Sequence, residues 1–309
     1  NAQQDVFVRD RQAGTTTRAS VATGGAQALG GPSNQPDLTD DGRYVVFTSA
    51  ATNLVAGDSN NQYDVFRRDL QTGTTIRVSV ATGGGQSTGS GSYLPSISND
   101  GRYVVFTSAA ANLAAGDANV TSDVFRRDIT GGTTTRVSVS SSGGDGLGAS
   151  GTPRISADGR FVAFESLAPN LVAGDTNGHQ DVFVRDLTAG ATTRVSVNSD
   201  GVQSADGSFA RPAGISADGR FVAFSSTASD LVDDDTNGQG DGFVRDRTRG
   251  ITYRISVTTD GLQVTGASSG ATSISADGTV VGFESEATGF GPVDGNGVLD
   301  VYARVFAAV

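Results

Sequence analysis

One acidic loop recurs five times along the chain. Its copies are Asp58/Asn60/Asp64, Asp117/Asn119/Asp123, Asp175/Asn177/Asp181, Asp235/Asn237/Asp241 and Asp294/Asn296/Asp300. The fullest form reads Asn-Leu-Val-x-Gly-Asp-Thr-Asn-Gly-x-x-Asp. Oxygen side chains at positions one, three and seven, with Gly after the second, are spaced to wrap a hard cation. The residue after Gly can lend its carbonyl, which is the logic of calcium loops. Asp233 adds a carboxylate two residues ahead of Asp235, making that copy the best-furnished calcium site. A second reading fits as well. Asp and Asn followed by Gly are turn formers that bond their own backbone, and Asp181 can cap a strand. Both readings stand at this point.

Other chemistry is poorly supplied. His179, the one His, falls in a turn with no partner for acid–base or metal work, which leaves a Ser/His/Asp constellation without its base, and with no Cys there is no thiol site. Glu165, Glu284 and Glu286 fall at or after a strand, as rim residues rather than as a catalytic carboxylate pair. The Arg-Asp neighbours (Arg9-Asp10, Arg68-Asp69, Arg127-Asp128, Arg185-Asp186, Arg245-Asp246) recur too regularly for one active site. They read as repeated edge pairs.

The elements that position these loops repeat with them. Asp5, Asp64, Asp123, Asp181, Asp241 and Asp300 are separated by 59, 59, 58, 60 and 59 residues. The Asp-Gly pairs at Asp41, Asp100, Asp158, Asp218 and Asp277 keep this period, as do Arg18, Arg77, Arg136, Arg194 and Arg254. Each unit carries four strand signals bounded by turn residues. Strand a is Pro-x-Ile-Ser, as at Pro95 to Ser98. An Asp-Gly turn leads to strand b (Arg160 to Glu165), followed by the acidic loop, strand c (Asp181 to Arg185) and strand d (Thr192 to Val197). Strand b is a near-continuous apolar run, so it is covered on both faces. The Leu of Asn-Leu-Val (Leu54, Leu113, Leu171, Leu231) reads as a plug holding the loop over its sheet. The fold class is all-β: a β-propeller of four-stranded antiparallel blades forming a single domain over residues 1–309. The tally is five a, five b, six c and five d. Six blades with the first incomplete fit this count; five blades closed by the N-terminal strand d are the alternative.

The net charge is −11 and no basic stripe is visible, which speaks against a nucleic-acid partner. No apolar run is long enough to span a bilayer. The chain opens inside a repeat, at a loop position equivalent to Asn60, so a signal peptide or upstream segment is expected to precede it.

The motif Ile155-Ser-Ala-Asp-Gly-Arg-Phe-Val-Ala-Phe164, followed by Asp181-Val-Phe-Val-Arg-Asp186, resembles the TolB-like, PD40 (WD40-like) β-propeller repeats. The resemblance covers essentially the whole chain, with a longer repeat here. It implies a secreted or periplasmic bacterial propeller that acts as a protein-interaction scaffold. With Asp233 included, the loop to Asp241 also resembles the calcium loops of integrin-type propellers. The reading reached is a non-enzymatic scaffold with calcium-stabilised loops, binding a protein or self-associating through open strand edges. A glycan-binding propeller is the alternative, and a metal-dependent hydrolase is the third.

Overall fold

The computed structural model describes residues 1–117, 119, 121–206, 209–290 and 298–305. Among them are 21 strands and no helix. The chain divides into two compact units, residues 1–138 with 149–155, and residues 139–148 with 156–309.

In the first unit, β1 (Phe7–Asp10) pairs with β2 (Thr15–Arg18). The strands β3 (Ser33–Leu38), β4 (Tyr44–Ser49), β5 (Asp64–Asp69) and β6 (Thr74–Arg77) form one antiparallel sheet in that order. The next sheet repeats it with β7 (Ser92–Ile97), β8 (Tyr103–Ser108), β9 (Asp123–Asp128) and β10 (Thr133–Arg136). Strand β11 (Ser150–Ile155) belongs to the same unit. The second unit contains β12 (Phe161–Ser166), β13 (Asp181–Asp186) and β14 (Ala191–Arg194). It also holds the four-stranded sheet β15 (Ala210–Ile215), β16 (Phe221–Ser226), β17 (Asp241–Asp246) and β18 (Ile251–Arg254). Its last sheet is three-stranded: β19 (Ser269–Ile274), β20 (Val280–Ser285) and β21 (Asp300–Val305). The a, b, c and d signals read from the sequence correspond to these strands one for one.

A paired aromatic spine recurs in four of the sheets. Phe47 lies opposite Phe66 with ring centroids 5.8 Å apart, and Phe106/Phe125, Phe164/Phe183 and Phe224/Phe243 repeat this at 5.5–5.9 Å. All eight rings are fully buried, because strands b and c are covered on both faces. Neighbouring sheets share cores: Val46, Val65 and Val78 pack with Ile97, Phe106 and Phe125. Leu54, Leu113, Leu171 and Leu231 are at most 1% exposed, which fits the plug reading.

Strand a begins earlier than its Pro-x-Ile-Ser signal suggests and is kinked. Its register slips between Asn34 and Asp37, and again between Tyr93 and Ser96. Pro36 and Pro95 have no N–H to give the ladder, so the chain bulges there. The residues before them, Gln35 and Leu94, take φ of 50° and 54°. The Asp-Gly turn serves a close approach between sheets. A Cβ on Gly101 would lie 2.2 Å from the Tyr44 ring, and one on Gly219 would lie 2.1 Å from Phe161.

Candidate functional site

The acidic loops sit between strands b and c, and their last Asp opens strand c. That Asp is buried in the first four copies: Asp64, Asp123, Asp181 and Asp241. In the first three copies the first Asp lies beside it, and the strand-d Arg reaches both. Arg77 Nη1 lies 3.0 Å from Asp58 Oδ1 and 3.5 Å from Asp64 Oδ2. Arg136 bridges Asp117 and Asp123 at 3.1 and 3.8 Å, and Arg194 bridges Asp175 and Asp181 at 3.5 and 3.4 Å. Arg254 lies 3.3 Å from Asp235. These groups are out of solvent: the side chains of Arg77, Asp58 and Asp64 are 11%, 3% and 0% exposed. In the N-terminal sheet Arg18 meets Asp5 at 3.6 Å.

The Asn of each of the first four loops turns its amide nitrogen, not its oxygen, toward the buried Asp. Asn60, Asn119 and Asn177 donate from Nδ2 to Asp64, Asp123 and Asp181 at 3.1 Å, and Asn237 donates to Asp241 at 3.4 Å. Their Oδ1 atoms accept backbone N–H groups two residues on, from Gln62, Thr121, His179 and Gln239. These are Asx turns. A Ser two residues after the Arg completes each set: Ser79 and Ser138 donate to Asp64 and Asp123 at 2.6 Å, and Ser196 and Ser256 donate to Asp181 and Asp241. The same hydroxyls accept the N–H of Val65, Val124, Val182 and Gly242. Each such Ser spends its proton on the Asp and one lone pair on the backbone.

The structure thus gives the predicted calcium ligands a cation of their own, the strand-d Arg. Asp233 is exposed beside the copy it was expected to complete. Asp294 and Asn296 lie outside the described residues, and Asp300 opens β21. Among the described residues no three His, Cys, Asp or Glu side chains converge. Burial raises the pKa of Asp58, Asp123, Asp175 and Asp241 above the ordinary carboxylate value. The neighbouring Asp adds to this in each case and the Arg opposes it. The Arg and Ser residues of these sets are not among the residues that the loop spacing points to. Their signal was present, since Arg18, Arg77, Arg136, Arg194 and Arg254 keep the period of the Asp pairs.

A second repeated set differs from the sequence expectation. Asp69 pairs with Arg43 rather than with its neighbour Arg68, because successive strand residues point to opposite faces. Arg43 makes a fork to both carboxylate oxygens at 3.2 and 2.9 Å. Arg102–Asp128, Arg160–Asp186 and Arg220–Asp246 repeat it at 2.6–3.0 Å. The fork from Arg102 and Arg160 holds Asp128 and Asp186 down at about 2. Arg68, freed from Asp69, donates to the carbonyl of Ala22 in the preceding connector, and Arg127, Arg185 and Arg245 do likewise to Ala81, Ser140 and Asn198. His179 is half-buried in its turn, and Glu284 and Glu286 are exposed.

No family model matches the chain, and no curated protein matches it. Solved structures do. TolB from Acinetobacter baumannii aligns over 92% of this chain and 57% of its own, at 17% identity and TM-score 0.50. This chain therefore spans little more than half of that protein. A putative TolB from Agrobacterium tumefaciens aligns over 100% of this chain and 85% of its own, at 16% identity and TM-score 0.51. An oligogalacturonate lyase in complex with manganese aligns over 98% and 69%, at 14% identity and TM-score 0.53. The fold is that of a TolB-like β-propeller. At these identities the likeness is one of fold, and it extends to enzymes as well as to TolB.

Proposed function

We propose that this chain is a non-enzymatic β-propeller scaffold that binds another protein, in the periplasm or outside the cell. The observation that carries this reading is the mutual pairing of the repeated charged groups. Among the described residues, Asp58, Asp64, Asp117, Asp123, Asp175 and Asp181 are met by strand-d Arg side chains, and Ser79, Ser138 and Ser196 donate to Asp64, Asp123 and Asp181, so the recurring set is bonded to itself rather than turned to a substrate. In this reading the strand-d Arg neutralises the acidic loops, and calcium is not required to hold them. No helix among the described residues is long and apolar enough to cross a membrane.

Self-association is a second reading, favoured by apolar residues left open on the terminal sheets. Phe7 is 54% exposed, whereas its counterparts Phe66, Phe125, Phe183 and Phe243 are buried. Val301 and Val305 on β21 are 77% and 76% exposed. Unpaired strand edges invite another chain. A glycan ligand would need aromatic platforms; the Tyr63 and Tyr93 rings, 5.4 Å apart and tilted by 41°, come nearest to one.

The test is a panel of peptide, ester, phosphoester and glycosidic substrates with and without divalent metal, run beside partner capture by cross-linking. The expected result is no turnover and a saturable protein complex. Turnover lost on substitution of a single side chain would overturn the scaffold reading. A positive glycan array with no protein complex would replace it by the lectin reading.

A further inference from the structure

The acidic loops differ from copy to copy at one chemically sensitive place. Asn177 and Asn237 are each followed by Gly, whereas the equivalent Asn60 and Asn119 are followed by Asn61 and Val120. Asn is a thermolabile residue. The backbone nitrogen that follows it can attack the side-chain carbonyl carbon, and a Gly there has no Cβ to shield that nitrogen. Gly178 and Gly238 are exposed, and a Cβ built on either would meet nothing within 4 Å. Their φ values are 70° and 64°, and Asn61 takes 54° at the place of Gly178. The turn therefore keeps its shape while the residue after Asn changes. The remaining Asn-Gly pair, Asn296-Gly297, lies outside the described residues.

The folded loop holds the side-chain amide by three hydrogen bonds. Asn177 donates from Nδ2 to Asp181 at 3.1 Å and to the carbonyl of Ser204 at 3.2 Å, and its Oδ1 accepts the N–H of His179 at 3.0 Å. Asn237 repeats this with Asp241, Val264 and Gln239 at 3.4, 3.1 and 2.9 Å. Asn60 does so with Asp64, Ser87 and Gln62 at 3.1, 3.2 and 3.1 Å. The groups that Nδ2 meets are rich in negative charge. Arg194 already serves both Asp175 and Asp181, at 3.5 and 3.4 Å, and Asp181 is only 2% exposed.

We propose that Asn177 and Asn237 are spontaneous deamidation sites, restrained by the folded loop, at which loss of the amide puts an uncompensated carboxylate into the Arg-neutralised set. The nitrogen of Gly178 gives its proton to solvent base and bonds to Cγ of Asn177. The Cγ–Nδ2 bond breaks, and Nδ2 takes up a proton and leaves as ammonia, so that a cyclic imide remains. Water then opens the imide. Addition at Cγ restores the peptide bond and leaves Asp; addition at the main-chain carbonyl carbon leaves isoaspartate. The sum is Asn plus water giving the acid plus ammonia, with no oxidant or reductant. The oxygen that replaces Nδ2 has no proton to donate, yet it faces the Asp181 carboxylate and the Ser204 carbonyl. Arg194 is then shared by the new carboxylate, Asp175 and Asp181. Isoaspartate also adds a methylene to the main chain and abolishes the Asx turn. Ring closure requires Cγ to move onto the Gly nitrogen and the amide to release its three bonds, so the loop must open first. Whatever the propeller binds, these two loops are where an ageing chain loosens first.

The test incubates the whole chain in mildly alkaline buffer, both folded and in urea, with digestion at intervals. Mass spectrometry follows the replacement of NH2 by OH at each Asn. In urea, Asn177 and Asn237 are expected to convert at least about tenfold faster than Asn60 and Asn119, since only Gly leaves the nitrogen unshielded. Folding is expected to slow both sites at least about tenfold, because reaction waits on loop opening. Gly178→Asn, which copies Asn60-Asn61, should bring Asn177 down to the rate of Asn60 and leave Asn237 unchanged. Converted chains, separated by anion exchange on their added charge, should melt at a lower temperature than the starting chain, and Asn237→Asp should reproduce that drop. Equal rates at the four Asn in urea overturn the sites. Conversion as fast in the folded chain as in urea overturns the restraint, and an unchanged Tm of the converted chains overturns the charge argument. These three readings use wild-type protein alone, so they decide the matter even where a variant fails to fold.

Discussion

An Arg77→Met variant leaves Asp58 and Asp64 facing each other with no cation between them. Their side chains are 3% and 0% exposed, so water does little to screen them. At an effective dielectric of about 20, each contact of Arg77, at 3.0 and 3.5 Å, represents ~5 kcal/mol of gross attraction. Desolvation offsets most of that in the intact cluster. Removing one partner of a buried pair nevertheless costs about 3–5 kcal/mol, because the stranded charge keeps its burial and loses its compensation. At roughly 2 °C per kcal/mol for a chain of this size, the Tm falls by about 6–10 °C at pH 7. Burial and Asp64 already raise the Asp58 pKa, and loss of Arg77 raises it further. A carboxylate whose folded pKa lies above its unfolded value favours folding at low pH and loses that contribution as pH rises through the folded pKa. The deficit of the variant is therefore smaller at pH 4.5 than at pH 8. Asp58→Asn and Asp64→Asn added to Arg77→Met should restore most of the loss, since neutral amides leave no stranded charge. The assay is thermal unfolding by circular dichroism at both pH values, with and without millimolar calcium. Wild type is expected to show no calcium shift, because Arg77 holds the place of the cation, whereas the variant gains stability from calcium. A variant melting within about 1 °C of wild type, or a saturable calcium shift in wild type, refutes the reasoning.

Other expectations rest on separate features. Arg102 and Arg160 depress Asp128 and Asp186 to about 2, and Ser275 and Thr279 do the same for Asp277. Stability from these groups is complete above the unfolded value near 3.8 and is lost as pH falls toward 2, so the urea midpoint should drop steeply between pH 4 and 2; a flat profile there contradicts the fork geometry. Gly101→Ala sets a Cβ 2.2 Å from the Tyr44 ring at a φ of 71°. It should cost about 2–4 kcal/mol, against about 1 kcal/mol for Gly57→Ala, which has the same φ sign and open space around it. Equal urea midpoints for the two variants would dismiss the close approach. Leu113→Ala removes a fully buried plug and should lower stability by about 2–5 kcal/mol in the same assay.

Period and strand pattern were open to reading because they depend on local and repeated chemistry. Tyr103-Val-Val-Phe106 cannot bury its apolar run except as a strand covered on both faces, and Asp100-Gly101 cannot avoid a tight turn. The roles of individual charges were not readable in the same way. Asp58, Asn60 and Asp64 have the spacing of a cation loop, and spacing alone does not say which cation arrives. Arg77 lies 13 residues beyond Asp64 and meets it because strand d folds back beside strand c. In the same manner Asp69 takes Arg43, 26 residues away, over its neighbour Arg68, since alternation along a strand sends neighbours to opposite faces.

Hydrophobic alternation and turn residues are properties of a few consecutive side chains, so the order of strands and the blade they build were already written in the primary structure. Which carboxylate is neutralised by which guanidinium depends on distances between segments far apart in the chain. Those distances come into being when the sheets pack, and electrostatic partners are chosen by proximity in space.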